Sequence, residues 1–223
     1  MKRITSLFIL LLIITTTSAQ TLKEWRDSLD VINKRIELHP QSLELKLEKA
    51  AISLQLLEWE DAIEACNEVT EKDMNNLSAL FYRAYANNNL RRYELARNDY
   101  EHFLRISPRN LEARIGLAYT YSKMGKDMEA LDELNNLVEM HPDSSVAYAA
   151  RAEQEKSMKE YDTALFDLDE ALKRDPENRD YMISKVETLI ALGRKREARN
   201  TLDEAVSKGV QRGLLREWYE KCK

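Results

Sequence analysis

The amino-acid sequence repeats itself every 34 residues. Ala62, Ala96, Ala130, Ala164 and Ala198 are each one such step apart. Pro40, Pro108, Pro142 and Pro176 fall on the same lattice, with Met74 and Val210 in the two slots where proline is absent. A second column of small residues runs Ala50, Ala84, Ala118 and Ala152 and ends on the larger Val186, while aromatics keep the step at Trp25, Trp59, Tyr93 and Tyr161. A period of this length makes the chain an array of supersecondary units. None buries its apolar face alone, so each depends on its neighbours.

Each unit has room for two helices. Apolar residues recur at helical spacing in Ala79 to Leu90 and again in Tyr93 to Leu104, with a break at Arg91-Arg92 that Gly125 and Gly193 mark in other copies. The proline follows the second helix, which it cannot continue. Asn76, Asn110, Ser144 and Asn178 stand where an N-cap is wanted, one per unit. The alanines have a steric cause: two helices that cross at ~8 to 10 Å need small residues at the contact. Tyr100, Leu134, Leu168 and Leu202, four residues after their alanines, fill the remaining volume together with Phe103, Leu137, Ala171 and Ala205. The pattern predicts an all-α protein, an α-solenoid of antiparallel helix pairs.

Small residue, aromatic, alanine and proline at these offsets resemble the tetratricopeptide repeat, a helix-turn-helix unit that stacks into a right-handed superhelix. The third unit carries the resemblance best, through Leu117, Ala118, Tyr121, Gly125, Ala130, Leu134 and Pro142. The first and last depart from it, with Lys49 and Ser53 in place of leucine and tyrosine and Val186 and Val210 in place of the small residue and the proline. Five full units are expected, at 43–76, 77–110, 111–144, 145–178 and 179–212. Residues 20–42 form an N-terminal half-repeat that caps the array. Residues 213–223 form a C-terminal capping helix, with Leu214, Leu215, Trp218, Tyr219 and Cys222 on one face.

Composition agrees by exclusion. Five glycines and four prolines in 223 residues are too few for a β-sandwich, a barrel or glycine-rich phosphate loops. A net charge of −5 offers no positive field to a phosphate backbone, so nucleic acid is not an expected ligand. Residues 1–19 read as a signal peptide: Lys2 and Arg3, the apolar run Leu7 to Ile14, then Thr17-Ser18-Ala19 ahead of cleavage. Eight apolar residues fall short of the ~20 that span a bilayer, although retention as an anchor stays open. The expectation is export to the periplasm or beyond, without a lipid-anchor cysteine and without stable membrane insertion once the leader is removed.

No nucleotide, hydrolase, zinc-protease or calcium-loop motif occurs, so no catalytic residue, metal site or cofactor is assigned. His39 and His141 share a register but lie three units apart, and His102 has no Cys or His at ligand spacing. Cys66 takes a core place in its unit; Cys222 is left as a thiol that can bridge two chains. The acidic residues, Asp167 among them, read as solvated helix surface.

The resemblance implies that the first helix of each unit lines an inner, concave surface where partner segments lie. Projection at 100° per residue places Ser78, Phe81, Tyr85, Asn88 and Asn89 on that face, then Glu112, Ile115, Tyr119, Ser122 and Lys123, then Val146, Ala149, Glu153 and Lys156. Phe81 and Ile115 are expected to pack between units. Tyr85 and Tyr119 are the better contacts, since tyrosine offers flat apolar area and a hydroxyl at small entropic cost. Members of the family that clamp a C-terminal carboxylate do so with Lys and Asn where this sequence has Leu47 and Ala51, so that clamp is not expected. Glu44, Glu112, Glu153, Asp180 and Glu187 outnumber Lys123 and Lys156, which favours a neutral or basic segment. The leading reading is a non-enzymatic, exported protein-interaction scaffold that binds an extended peptide segment of another protein. Alternatives are a self-assembling structural repeat protein and a glycan-binding module.

Overall fold

The computed structural model describes residues 22–223, so the expected signal segment lies outside the described residues. Among the described residues there are twelve α-helices and no strand. The helices fall into two compact units divided between Met74 and Asn75. The first unit holds α1 (Leu22–Leu38), α2 (Leu43–Gln55) and α3 (Trp59–Thr70). Trp25, Leu29, Ile32 and Ile36 of α1 pack on Leu45, Ile52 and Leu56 of the α2 segment, the first helix of the following pair.

The second unit holds α4 (Leu77–Asn89), α5 (Tyr93–Ile106), α6 (Leu111–Lys123), α7 (Asp127–Met140), α8 (Ser145–Ser157), α9 (Tyr161–Arg174), α10 (Arg179–Ala191) and α11 (Lys195–Ser207). A 3-10 turn (Arg212–Leu215) then leads into α12 (Arg216–Lys221). Each helix packs on the next, and α4 also touches α6, α6 touches α8, and α10 touches α12. That is the pairwise stacking the period demands. No helix among the described residues is long and apolar enough to cross a membrane.

Local chemistry sets the helix ends. The side-chain oxygens of Asn76, Asn110 and Ser144 accept from the backbone N–H three residues on, and Asn178 Oδ1 accepts from both Asp180 and Tyr181. Ser42 does the same for α2. The second helices start without a side-chain cap; Glu94, Asp127, Asp162 and Glu197 in their first turns face the positive end of the helix dipole instead. The turn inside each pair needs a left-handed residue. Gly125 and Gly193 supply it freely at φ 73° and 74°, whereas Leu57, Arg91 and Lys159 are held there at 61°, 59° and 65°.

Both small-residue columns are buried as expected, every member at 2% exposure or less. Their neighbours are matched in size. A Cβ on Gly116 of α6 would stand 2.4 Å from Cζ of the buried Tyr100 of α5, so glycine is what admits the ring. At the same two lattice positions further on, the sequence has Leu134 with Ala150 and Leu168 with Ser184. The C-terminal cap differs from the expected single helix: α12 has six residues, and Leu214 is exposed while Leu215 and Cys222 are buried.

Candidate functional site

The face of α4, α6, α8 and α10 turned from the second helices carries the predicted site residues, and the structure divides them. On α4, Tyr85 and Ser78 are half-buried and Asn89 is exposed, its side-chain amide donating to the Tyr85 carbonyl at 2.9 Å. On α6, Tyr119 is 50% exposed with the Lys123 ammonium 5.1 Å from its ring centroid, and Glu112 and Ser122 are half-buried. These side chains share one face and keep accessible polar and aromatic surface.

Two of the residues projected onto this face are buried in the structure. Phe81 is buried at the centre of an edge-to-face aromatic group, its centroid 5.8 Å from Tyr100 and 6.1 Å from Phe103. Asn88 is buried as well: its Nδ2 donates to Thr120 Oγ1 at 2.9 Å, and it bonds the Tyr100 hydroxyl. Thr120 Oγ1 lies 2.6 Å from the Gly116 carbonyl, which joins α4, α5 and α6 through one polar cluster. Burial holds the Tyr100 phenol neutral far above its ordinary range. Helical projection put Asn88 on the open face, whereas its contact with Thr120 of α6 buries it.

The α8–α10 end is occupied by its own charges. Lys156 Nζ lies 2.9 and 3.1 Å from the two oxygens of Glu153, 2.8 Å from Ser184 Oγ and 3.7 Å from Glu187. Ser184 also donates to Glu153, and Trp218 of the cap donates to Glu187 at 3.3 Å. Glu153 is exposed but already paired. The acidity that the residue count suggested is therefore partly neutralised within the chain.

The reading of the acids as solvated surface fails at three positions. Asp99 and Asp167 are buried, and each takes a two-nitrogen contact from an arginine 16 residues earlier: Arg83 at 2.8 and 2.7 Å, Arg151 at 2.6 and 2.8 Å. Glu155 is the third. The two Arg–Asp pairs lie two lattice steps apart, a regularity visible in the sequence that a search for apolar periodicity passes over. Both cysteines are free and buried, and burial raises the Cys222 thiol; both facts oppose the interchain bridge considered for it. Among the described residues, no three His, Cys, Asp or Glu side chains converge as metal ligands.

The architecture and the face just described define a helix-pair repeat protein. A tetratricopeptide-repeat family model matches residues 90–153 and 157–215, more than half of the chain. The chain belongs to the tetratricopeptide-repeat family. Solved structures agree in fold. A tetratricopeptide repeat protein from Parabacteroides merdae superposes with a TM-score of 0.72 at 19% identity, over 90% of this chain and 78% of the other. A thermophilic member from Thermus thermophilus gives 0.65 at 20% identity, over 76% and 92%. YrrB, described as having an unusual peptide-binding site, gives 0.57 at 20% identity, over 79% and 91%. No curated protein matches the sequence.

Proposed function

We propose that this protein is a non-enzymatic, exported interaction scaffold that holds an extended segment of another protein against the open face of α4 and α6. The observation that carries the reading is Tyr119: a large aromatic side chain left half exposed beside Lys123, with Tyr85 and Asn89 on the neighbouring helix. Exposed tyrosine on a rigid helical frame gives contact area with little ordering cost, and Asn89, Ser122 and Glu112 add groups that pair with a peptide backbone. The bound segment is neutral or basic, in keeping with the net charge of −5. Export rests on the leader-like residues 1–19, and a structural relative with a peptide-binding site supports the mode of binding.

The test is affinity capture from the exported fraction with wild-type protein and with Tyr85→Ala/Tyr119→Ala, quantifying every protein that co-elutes. Loss of two such anchors is expected to lower affinity at least ~30-fold, given ~2 kcal/mol for an aromatic hot spot, with unchanged helicity by circular dichroism. Equal capture by both proteins refutes the assignment of this face.

A further inference from the structure

The place that Tyr121 fills in the 111–144 repeat is held by Ser53, Asn87, Glu155 and Leu189 in the others. Of these, Ser53 Oγ, Asn87 Oδ1 and Glu155 Oε2 are buried without a hydrogen-bond partner. Glu155 is the one that ionises. It is about nine-tenths buried on α8 (9% exposed), one turn after Arg151. That guanidinium is already spent: Nε and Nη2 donate to Asp167 and Nη1 donates to Asn135 Oδ1 at 3.0 Å. Two buried carboxylates thus share one cation that is fully committed to the other acid.

We propose that Glu155 is a proton-operated latch: as the neutral acid it lets α8 and α9 close, and its ionisation sets a second negative charge beside Asp167 while the Arg151 guanidinium is committed to that acid, which favours opening of the helix pair. Burial first, then Asp167 of α9 and Glu160 just ahead of that helix, favour the neutral form, against Arg151 on α8 and the Thr163 hydroxyl on α9; together they raise the carboxyl from near 4.5 to about 7. From α7, Asn135 is bound to Arg151 and Asp127 to Gln154. From α10, Ser184 and Glu187 are engaged with Glu153 and Lys156, and Lys185 with Asp169 of α9.

The sign follows from linkage. Between the ordinary value and about 7 the folded repeat keeps a proton that the opened chain has released. Closure is therefore firmest at the acidic end of that window, weakens as pH rises through it and levels off above it. One proton makes the opening equilibrium rise at most ~10-fold per pH unit.

The experiment uses the full chain in two measurements. In a carbon-13 titration, the Glu155 side-chain carboxyl is expected to change near pH 7. Hydrogen exchange of the α8 and α9 amides, corrected for intrinsic rate, should show an opening constant at least ~10-fold larger at pH 8 than at pH 5.5. Glu155→Gln, isosteric and uncharged, should remove that dependence. A carboxyl that titrates below ~5, or a Gln variant with the wild-type pH slope, overturns the proposal. If the variant does not fold, the carboxyl titration of the wild-type chain decides.

Discussion

Gly116→Ala tests the packing argument with a single methyl group. Alanine in a helix interior is ordinarily better than glycine by about 1 kcal/mol, so propensity alone forecasts stabilisation. The structure forecasts the opposite. The added Cβ would sit 2.4 Å from Cζ, 2.7 Å from Cε1 and 2.7 Å from Oη of Tyr100, and carbon atoms pack comfortably only at ~3.5 to 4.0 Å, so the ring or the helix has to yield by more than ~1 Å. The ring has little room to retreat, because Phe81 stands edge-on to it and Asn88 holds its hydroxyl. Overpacking of this kind costs ~1 to 3 kcal/mol; with strain near the upper end, the net loss is about 2 kcal/mol after the propensity gain. Urea denaturation of Gly116→Ala, Tyr100→Leu and the double variant reads the effect. Tyr100→Leu copies Leu134 and Leu168 and removes the clash, so in its background Gly116→Ala should be neutral or stabilising, a coupling of at least ~2 kcal/mol. A stabilised Gly116→Ala in the wild-type background, or additive behaviour in the double variant, refutes the reasoning.

The other predictions are of the same kind. Lys159→Gly relieves a residue held at φ 65° and should stabilise by up to ~1 kcal/mol in thermal melting, less what the freer unfolded chain takes back. Lys159→Val, β-branched at the same angle, should lower the midpoint. Asp99→Ala leaves the Arg83 guanidinium half-buried without its carboxylate and should cost about 2 to 3 kcal/mol, whereas Arg83→Leu/Asp99→Leu, which puts at position 83 the residue found at Leu117, should recover most of that in the same denaturation assay.

Much of the fold could be read from small residues, because a helix crossing forbids bulk at one place and the sequence shows that prohibition directly. Ala84, Ala118 and Ala152 needed no structure to be assigned to contacts, nor did Asn76, Asn110 and Ser144 as caps. Polar side chains were harder. Asn88 and Asp167 are hydrophilic by type and buried by circumstance: each sits where a neighbouring helix supplies the partner, Thr120 for one and Arg151 for the other. Periodicity scores a residue by its own transfer preference, whereas burial of a polar group depends on a specific second residue. The same reason limited the site. Tyr119 stays half exposed as projected, while Glu153 on the same face is already paired with Lys156 one turn away and Ser184 on another helix.

Proteins made of near-copies face a hazard that proteins of unlike parts avoid, since the flank of any copy resembles the surface meant for its neighbour. A slipped alignment, or an exchange of copies between two molecules, would cost little if all the seams were alike. Here one seam is keyed. The Tyr100 ring enters the notch left by Gly116, and the residues at the corresponding seams, Ala150 and Ser184, would fill that notch. Bulk at this one address thereby marks which two copies belong side by side.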